Sequence, residues 1–228
     1  GDLRARRGGG AAQNVCAREI LPRLRDGVFH GVAKRSSVRP MAEPRVKGVS
    51  FRAVDTAFLE LRGEAARKRA RELMVPELSE TYRNGLMLAA SWYPIGWYRS
   101  ALQSFRQATG DGLELIRQIG RRSMELDMTG VYKQLLVRFV SPQTMLAMTA
   151  KVFSTYYDTG KLEVLEKRAG FVRVLYSGCT GWDGNLFAEI VGASQGMLEI
   201  SGAKDVRLRM VQGGRDGDTS LELEGRWT

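Results

Sequence analysis

Residues 184–203 read GNLFAEIVGASQGMLEISGA, and residues 204–228, KDVRLRMVQGGRDGDTSLELEGRWT, follow them to the end of the chain. In the first stretch Leu186, Phe187, Ile190, Val191, Ser194, Met197 and Leu198 recur at helical intervals. Gly202 supplies the stop signal for a helix over Gly184 to Ser201. The second stretch alternates instead. Val206, Leu208 and Met210 share one face of a strand over Val206 to Gln212, and Leu221 and Leu223 share one face of a strand over Thr219 to Trp227. The GGRDGD between them is a turn.

Working upstream, Leu162 to Lys167 and Phe171 to Tyr176 are β-rich runs separated by Arg-Ala-Gly, which predicts a hairpin. Residues 161–228 are therefore a sheet half in which two strands, a helix and two strands follow one another. Residues 46–152 are helical in pattern. Ala57, Phe58, Leu61, Ala65, Ala66 and Leu73 mark an amphipathic helix over Asp55 to Glu72, bent near Gly63. Pro76 ends it, a second helix is expected over Glu77 to Ala90, and Pro94 suits the first turn of a third that stops at Gly110. Asp111 is placed to cap a fourth, whose inward set is Leu113, Ile116, Ile119, Gly120 and Met124. Helical stretches over Val131 to Val140 and Pro142 to Val152 complete this half. The expected fold class is α+β: an N-terminal helical cap packed on a four-stranded antiparallel sheet of ββαββ order.

Residue usage excludes much familiar chemistry. His30 is the sole histidine, and Cys16 and Cys179 are the only cysteines, so beyond Met41 there is no imidazole and one thiol. A serine–histidine or cysteine–histidine hydrolase cannot be built from residues 41–228, nor can a His-ligated haem, zinc or non-haem iron site. No metal and no cofactor are expected, and no CxxC pair occurs. The formal charge is +10, but residues 1–40 carry +6 of it and the remaining 188 residues only +4. Nucleic acid is thus not an expected partner of the body. Arg121-Arg122 and Arg67-Lys68-Arg69 read as solvated helix faces. The most apolar stretch, Leu86 to Tyr98, is too short to span a membrane and is broken by Pro94 and Gly96. Sparse cysteine makes a reducing cytosol the expected compartment.

Residues 1–40 mix Arg, Gly and Ala without a sustained period, and the RRGGGAA run at 6–12 cannot offset its ordering entropy. They are expected to be a disordered or non-native basic leader ahead of a natural start at Met41; a basic tail for nucleic acid or membrane is the alternative.

Three segments stand out as candidate sites. Trp92-Tyr93-Pro94-Ile95-Gly96-Trp97-Tyr98 is the densest aromatic cluster and reads either as core or as the lining of an apolar pocket with polar handles. Tyr156, Tyr157 and Asp158 lie where the two halves meet. In Gly178-Cys179-Thr180-Gly181-Trp182-Asp183-Gly184, three glycines surround a thiol, and Asp183 or Asn185 can cap the next helix. Cys179 is either a small buried residue or a reactive thiol near a helix start. Gly192, Ala193 and Gly196 form a small-residue face for close packing on the sheet or on a second copy of the chain.

The helix of residues 184–203, the strand after it and the Gly217-Asp218 turn before a last strand ending in Trp227 resemble the vinyl reductase and haem-NO-binding-like superfamily. Residues 46–228, with WYPxxWY at 92–98, FSTYYDTG at 153–160 and GCTGWD at 178–183, are also similar to an uncharacterised family abundant in myxobacteria. The superfamily resemblance implies a ligand-binding sensor or adaptor, in some branches with an acyl chain or tetrapyrrole between helices and sheet. Its haem branch needs a proximal histidine and its vinyl reductase branch often carries a cysteine cluster; residues 41–228 have neither, so haem and zinc do not transfer. What remains is a non-enzymatic sensory or adaptor module, cytoplasmic and homodimeric. It is expected to hold an apolar or amphipathic small molecule against Trp92, Tyr93, Trp97, Tyr98, Tyr156, Tyr157, Asp158, Cys179 and Trp182. A protein–protein interaction domain without ligand, and an enzyme using Cys179 or Tyr and Asp groups, are the alternatives.

Overall fold

The computed structural model describes residues 43–129 and 142–228. The leader and the helix expected over Val131 to Val140 lie outside the described residues.

The chain enters through β1 (Arg45–Lys47), which pairs antiparallel with β2 (Trp92–Pro94), Val46 opposite Tyr93. This two-stranded ribbon was not foreseen. Between its strands runs α1 (Gly48–Leu73), interrupted at Gly63, whose φ of 80° and ψ of 172° are not helical. Glycine is what makes that break possible, because a Cβ would disfavour this positive φ. The break folds the second arm back, and Asp55 on the first arm accepts from Arg71 Nη2 at 2.6 Å and Nε at 3.2 Å on the second.

The second helix, α2 (Pro76–Arg83), starts on Pro76 as expected but stops well short of Ala90. Gly85 takes a positive φ of 67°, and Leu86 N–H donates to Thr81 O, which turns the chain into a loop. Tyr93 holds that loop: its hydroxyl accepts from Leu88 N–H at 2.9 Å and donates to Leu86 O at 3.1 Å. In α3 (Ile95–Thr109), Pro94 stands just outside the first turn and Gly110 ends the helix in the left-handed region. The next helix, α4 (Leu113–Thr129), turns Leu115, Ile116 and Ile119 inward, whereas Leu113 is exposed. Asp111, read as its cap, gives its carboxylate to Arg62 at 2.9 Å. α5 (Pro142–Tyr156) continues past Val152.

The sheet half follows the expected order. β3 (Lys161–Arg168) and β4 (Phe171–Ser177) form the hairpin, α6 (Gly184–Ile200) follows, and β5 (Arg207–Gly213) and β6 (Leu221–Arg226) close the sheet. All pairings are antiparallel, in the order β3-β4-β6-β5, with bulges at Val164/Glu166 and Met210/Gln212. The fold is α+β, as the alternation of periods predicts.

α6 is the centre of the fold and is buried almost all round. Asp183 caps it by accepting from Leu186 N–H at 3.0 Å. Its small residues press on α4: a Cβ at Gly192 would stand 1.9 Å from Arg117 O, and one at Gly196 would stand 2.7 Å from Arg121 O. Gly120 reciprocates, since a Cβ there would lie 2.0 Å from Glu189 O. The face expected to meet a second subunit is therefore covered by the chain's own α4, and that argument for a homodimer lapses. Among the described residues no helix is long and apolar enough to cross a membrane.

Candidate functional site

Where the helices meet the sheet, packing leaves a cavity of about 50 Å³. Seven elements among the described residues wall it. α6 contributes Glu189, Ile190, Ser194 and Met197, α4 contributes Ser123, Met124 and Asp127, and α5 contributes Phe153 and Tyr156. Tyr98 of α3, Tyr157 just beyond α5 and Tyr176 of β4 bring three further phenols. One helical periodicity explains the α6 set, since Glu189, Ile190, Ala193, Ser194 and Met197 lie three or four residues apart on a single face.

The polar atoms of this wall are arranged around Glu189, which is 4% exposed. Tyr157 donates its hydroxyl to Glu189 Oε2 at 3.0 Å. Ser194 donates to Ile190 O at 2.7 Å, so the 3.0 Å contact between Tyr176 and Ser194 uses the tyrosine proton. Asp127 shares a hydrogen bond with Tyr156. Tyr98, fully buried, is the exception. Its hydroxyl makes no hydrogen bond of ordinary geometry among the described residues, although it stands close enough to Glu189 and Tyr157 to favour the charged form of each.

Burial governs the titration of these groups, because the charged form loses its hydration. It raises Glu189 to about 7, with the Tyr157 hydrogen bond opposing and the charge of Asp127 assisting. It raises Asp127 to about 6 against the hydrogen bond from Tyr156. Tyr176 is pushed up to about 12, and Tyr98 and Tyr157 well above the ordinary phenol range, again mainly by desolvation. Among the described residues no lysine or arginine lines the cavity.

Of the residues expected from sequence, Tyr98, Tyr156 and Tyr157 come together here, and the others do not line the cavity. Trp92 sits on the β1–β2 ribbon with Lys47 Nζ 4.4 Å from its ring centroid. Tyr93 secures the 85–91 loop, and Trp97 stacks on it at 5.8 Å. Asp158 accepts from Arg45 N–H at 2.6 Å and Arg45 Nε at 2.7 Å, which fastens the chain after α5 to β1. Trp182 packs behind the wall, its ring 4.8 Å from Tyr157 and 5.3 Å from Phe187. Cys179 is fully buried, with its thiol pushed up to about 12 by desolvation, which makes it a poor nucleophile. Glu189 and Asp127 are the residues sequence reading missed. A carboxylate in the middle of the apolar run LFAEIVGA was the available signal for the first, since a helix buried on all sides seldom carries a charge without a purpose.

No family model matches the chain, and no curated protein matches it. Solved structures do. The H-NOX protein from K. algicida aligns with a TM-score of 0.60 at 14% identity, covering 80% of this chain and 96% of that one. A point variant of it gives 0.61 at 16%, with the same coverage. An oxygen-binding H-NOX domain related to soluble guanylate cyclases gives 0.59 at 12%, covering 80% and 95%. At such identities the likeness is one of architecture, and the chain has an H-NOX-like fold.

Proposed function

We propose that the chain is a sensory or adaptor module that holds a small amphipathic molecule in the cavity between its helical half and its sheet. The single observation that carries this reading is the cavity itself, lined by apolar Met124, Phe153, Ile190 and Met197 together with polar Tyr98, Asp127, Tyr157 and Glu189. A few convergent polar groups in an otherwise apolar hollow fix a ligand's orientation while apolar contact supplies affinity. The similar H-NOX structures support a ligand role, one of them being an oxygen-binding domain in its oxygen complex.

Haem itself does not fit. A cavity of about 50 Å³ is far below the roughly 300–1,000 Å³ of pockets that enclose drug-sized organic ligands. The single histidine of the sequence, His30, lies outside the described residues, and Cys179 is off the cavity with a protonated thiol. The ligand is accordingly small, of the order of a few heavy atoms.

Native mass spectrometry of the purified full chain, joined to thermal-shift titrations with short alcohols, phenols, carboxylates and amines, tests the proposal. A co-purifying small molecule, or a saturable rise in Tm with one of these classes, is expected. A chain that carries nothing and is stabilised by none of them would refute it and leave the protein–protein interaction reading in the lead.

A further inference from the structure

The charge balance of the cavity narrows the ligand class. Two carboxyl groups, Glu189 of α6 and Asp127 of α4, face a space to which no described residue supplies a cation. The groups opposed to them are a serine from α1, Tyr98 from α3, Ser123 on α4 itself, Tyr156 and Tyr157 at the end of α5 and Tyr176 from β4. Every one of these is neutral at pH 7. Elsewhere in the described residues several buried or half-buried carboxylates have guanidinium partners: Asp55 has Arg71 and Arg67, Glu222 has Arg173, and Asp183 has Arg99. The cavity pair contrasts with these.

A second observation also calls for an occupant. Tyr98 is fully buried and lines the cavity, yet its hydroxyl makes no hydrogen bond of ordinary geometry among the described residues and stands only in looser contact with Tyr157 and Glu189. A hydroxyl left poorly paired in the interior costs free energy that a ligand atom would recover. Aromatic rings line the same cavity as the acids: Phe153 stacks on Tyr157 at 5.1 Å and meets Tyr176 edge-on at 5.6 Å, while Tyr98 meets Tyr157 at 6.5 Å. Ring faces around an anionic group make a receptor for an organic cation, because each ring's quadrupole attracts positive charge and the carboxylate neutralises it.

Building on the ligand-binding reading above, we infer that the ligand is a small organic ammonium ion, bound between the Glu189 and Asp127 carboxylates with the Tyr98 hydroxyl completing its hydrogen bonds. A hollow that would hold about three to five waters accommodates an ammonium of similar heavy-atom count, such as an ethyl- or trimethylammonium ion. Binding of the cation draws the protons off Glu189 and Asp127, which at neutral pH are held in part by burial. Affinity then rises with pH as the two carboxyls ionise.

Calorimetric titration of the full chain at pH 7.5 with ethylammonium and trimethylammonium chlorides, ethanol, isopropanol and sodium acetate distinguishes the outcomes. The ammonium ions should bind at least about tenfold more tightly than the alcohols of the same shape, with acetate not binding. Lowering the pH to 5.5 should weaken them by about tenfold or more, as should Glu189→Gln. Tyr98→Phe, which removes only that poorly paired hydroxyl, should weaken ammonium binding several-fold without lowering Tm, and it serves if Glu189→Gln fails to fold. Alcohols or acetate binding as well as the ammonium ions would overturn the cation while leaving the ligand-binding module standing. Ammonium affinity that ignores both pH and the two substitutions would overturn the assignment of the site. Failure of every probe, with the cavity merely hydrated, would overturn both.

Discussion

Asp55 and Arg71 are 16 residues apart on α1 and yet meet in a two-point ion pair, because the chain turns back at Gly63 between them. Asp55 is 6% exposed and also lies 3.5 Å from Arg67 Nη1, so one carboxylate ties down two cations of the returning arm. Asp55→Ala strands the Arg71 guanidinium and leaves Arg67 only Glu64, and should cost about 2–4 kcal/mol, reduced from the fully buried case because each arginine keeps some solvent. Glu64→Ala removes a pair to Arg67 in which the glutamate is 67% exposed, and should cost under about 0.5 kcal/mol. Urea denaturation of the two variants measures the contrast; equal costs would show that the kink is held by something else.

The contact of α4 with α6 gives a substitution whose sign is diagnostic. Gly→Ala inside a helix ordinarily stabilises by up to about 1 kcal/mol. At Gly192 the new methyl would sit 1.9 Å from Arg117 O, which can yield only if the helices part, and the expected net result is a loss of about 1–3 kcal/mol. Gly96 in α3 has nothing nearer than Glu43 Oε1 at 4.0 Å. Its alanine variant should be neutral or stabilising. Paired thermal melts check this, and a stabilised Gly192→Ala would mean that α4 is not seated as described.

Stability should fall as pH rises through the range in which Glu189 titrates. Its pKa goes from the usual 4.5 to about 7 on folding, so the native state keeps a proton that the unfolded chain has released. That contribution is whole below about pH 4.5 and is lost progressively up to about pH 7, by roughly 3 kcal/mol at most. Asp127, raised from 3.8 to about 6, adds a slope of the same sign at slightly lower pH. Glu189→Gln abolishes its own share, so the variant should gain on the wild type from pH 4.5 to 7.5. A difference that stays constant with pH would place the Glu189 pKa near its ordinary value.

Trp97→Ala should lower stability and leave cavity ligands alone, since the ring stacks on Tyr93 and does not line the hollow. Calorimetry with any ligand found for the cavity checks this. Weakened binding would restore Trp97 to the site.

The order of elements in the sheet half was legible because each rests on a local period: residues 184–200 repeat like a helix and residues 206–210 alternate like a strand. The bend at Gly63 was legible for the same reason, glycine being the residue that makes such a break possible. The β1–β2 ribbon was not, because three-residue strands carry no period and pair across more than forty residues. The early end of α2 went unseen because it depends on Tyr93, a side chain from a later element, catching Leu86 and Leu88. At the site, aromatic density drew attention to Trp92 and Trp97, whose rings pack on the ribbon and on Tyr93, and away from Glu189. Only tertiary packing reveals that Asp127 and Glu189, 62 positions apart, share one hollow.

Both outermost strands of the sheet, β3 and β5, break register, at Val164/Glu166 and at Met210/Gln212. Both also carry a high density of charge, Lys161, Glu163, Glu166, Lys167 and Arg168 on one side and Arg207 and Arg209 on the other. An open edge is a template on which a stray strand can hydrogen-bond and extend the sheet without limit. A bulge spoils the spacing such a strand would have to match, and a row of cations and anions makes its approach costly. Even with Leu165 half exposed on β3, these devices oppose recruitment of further strands at the two edges that no described strand covers.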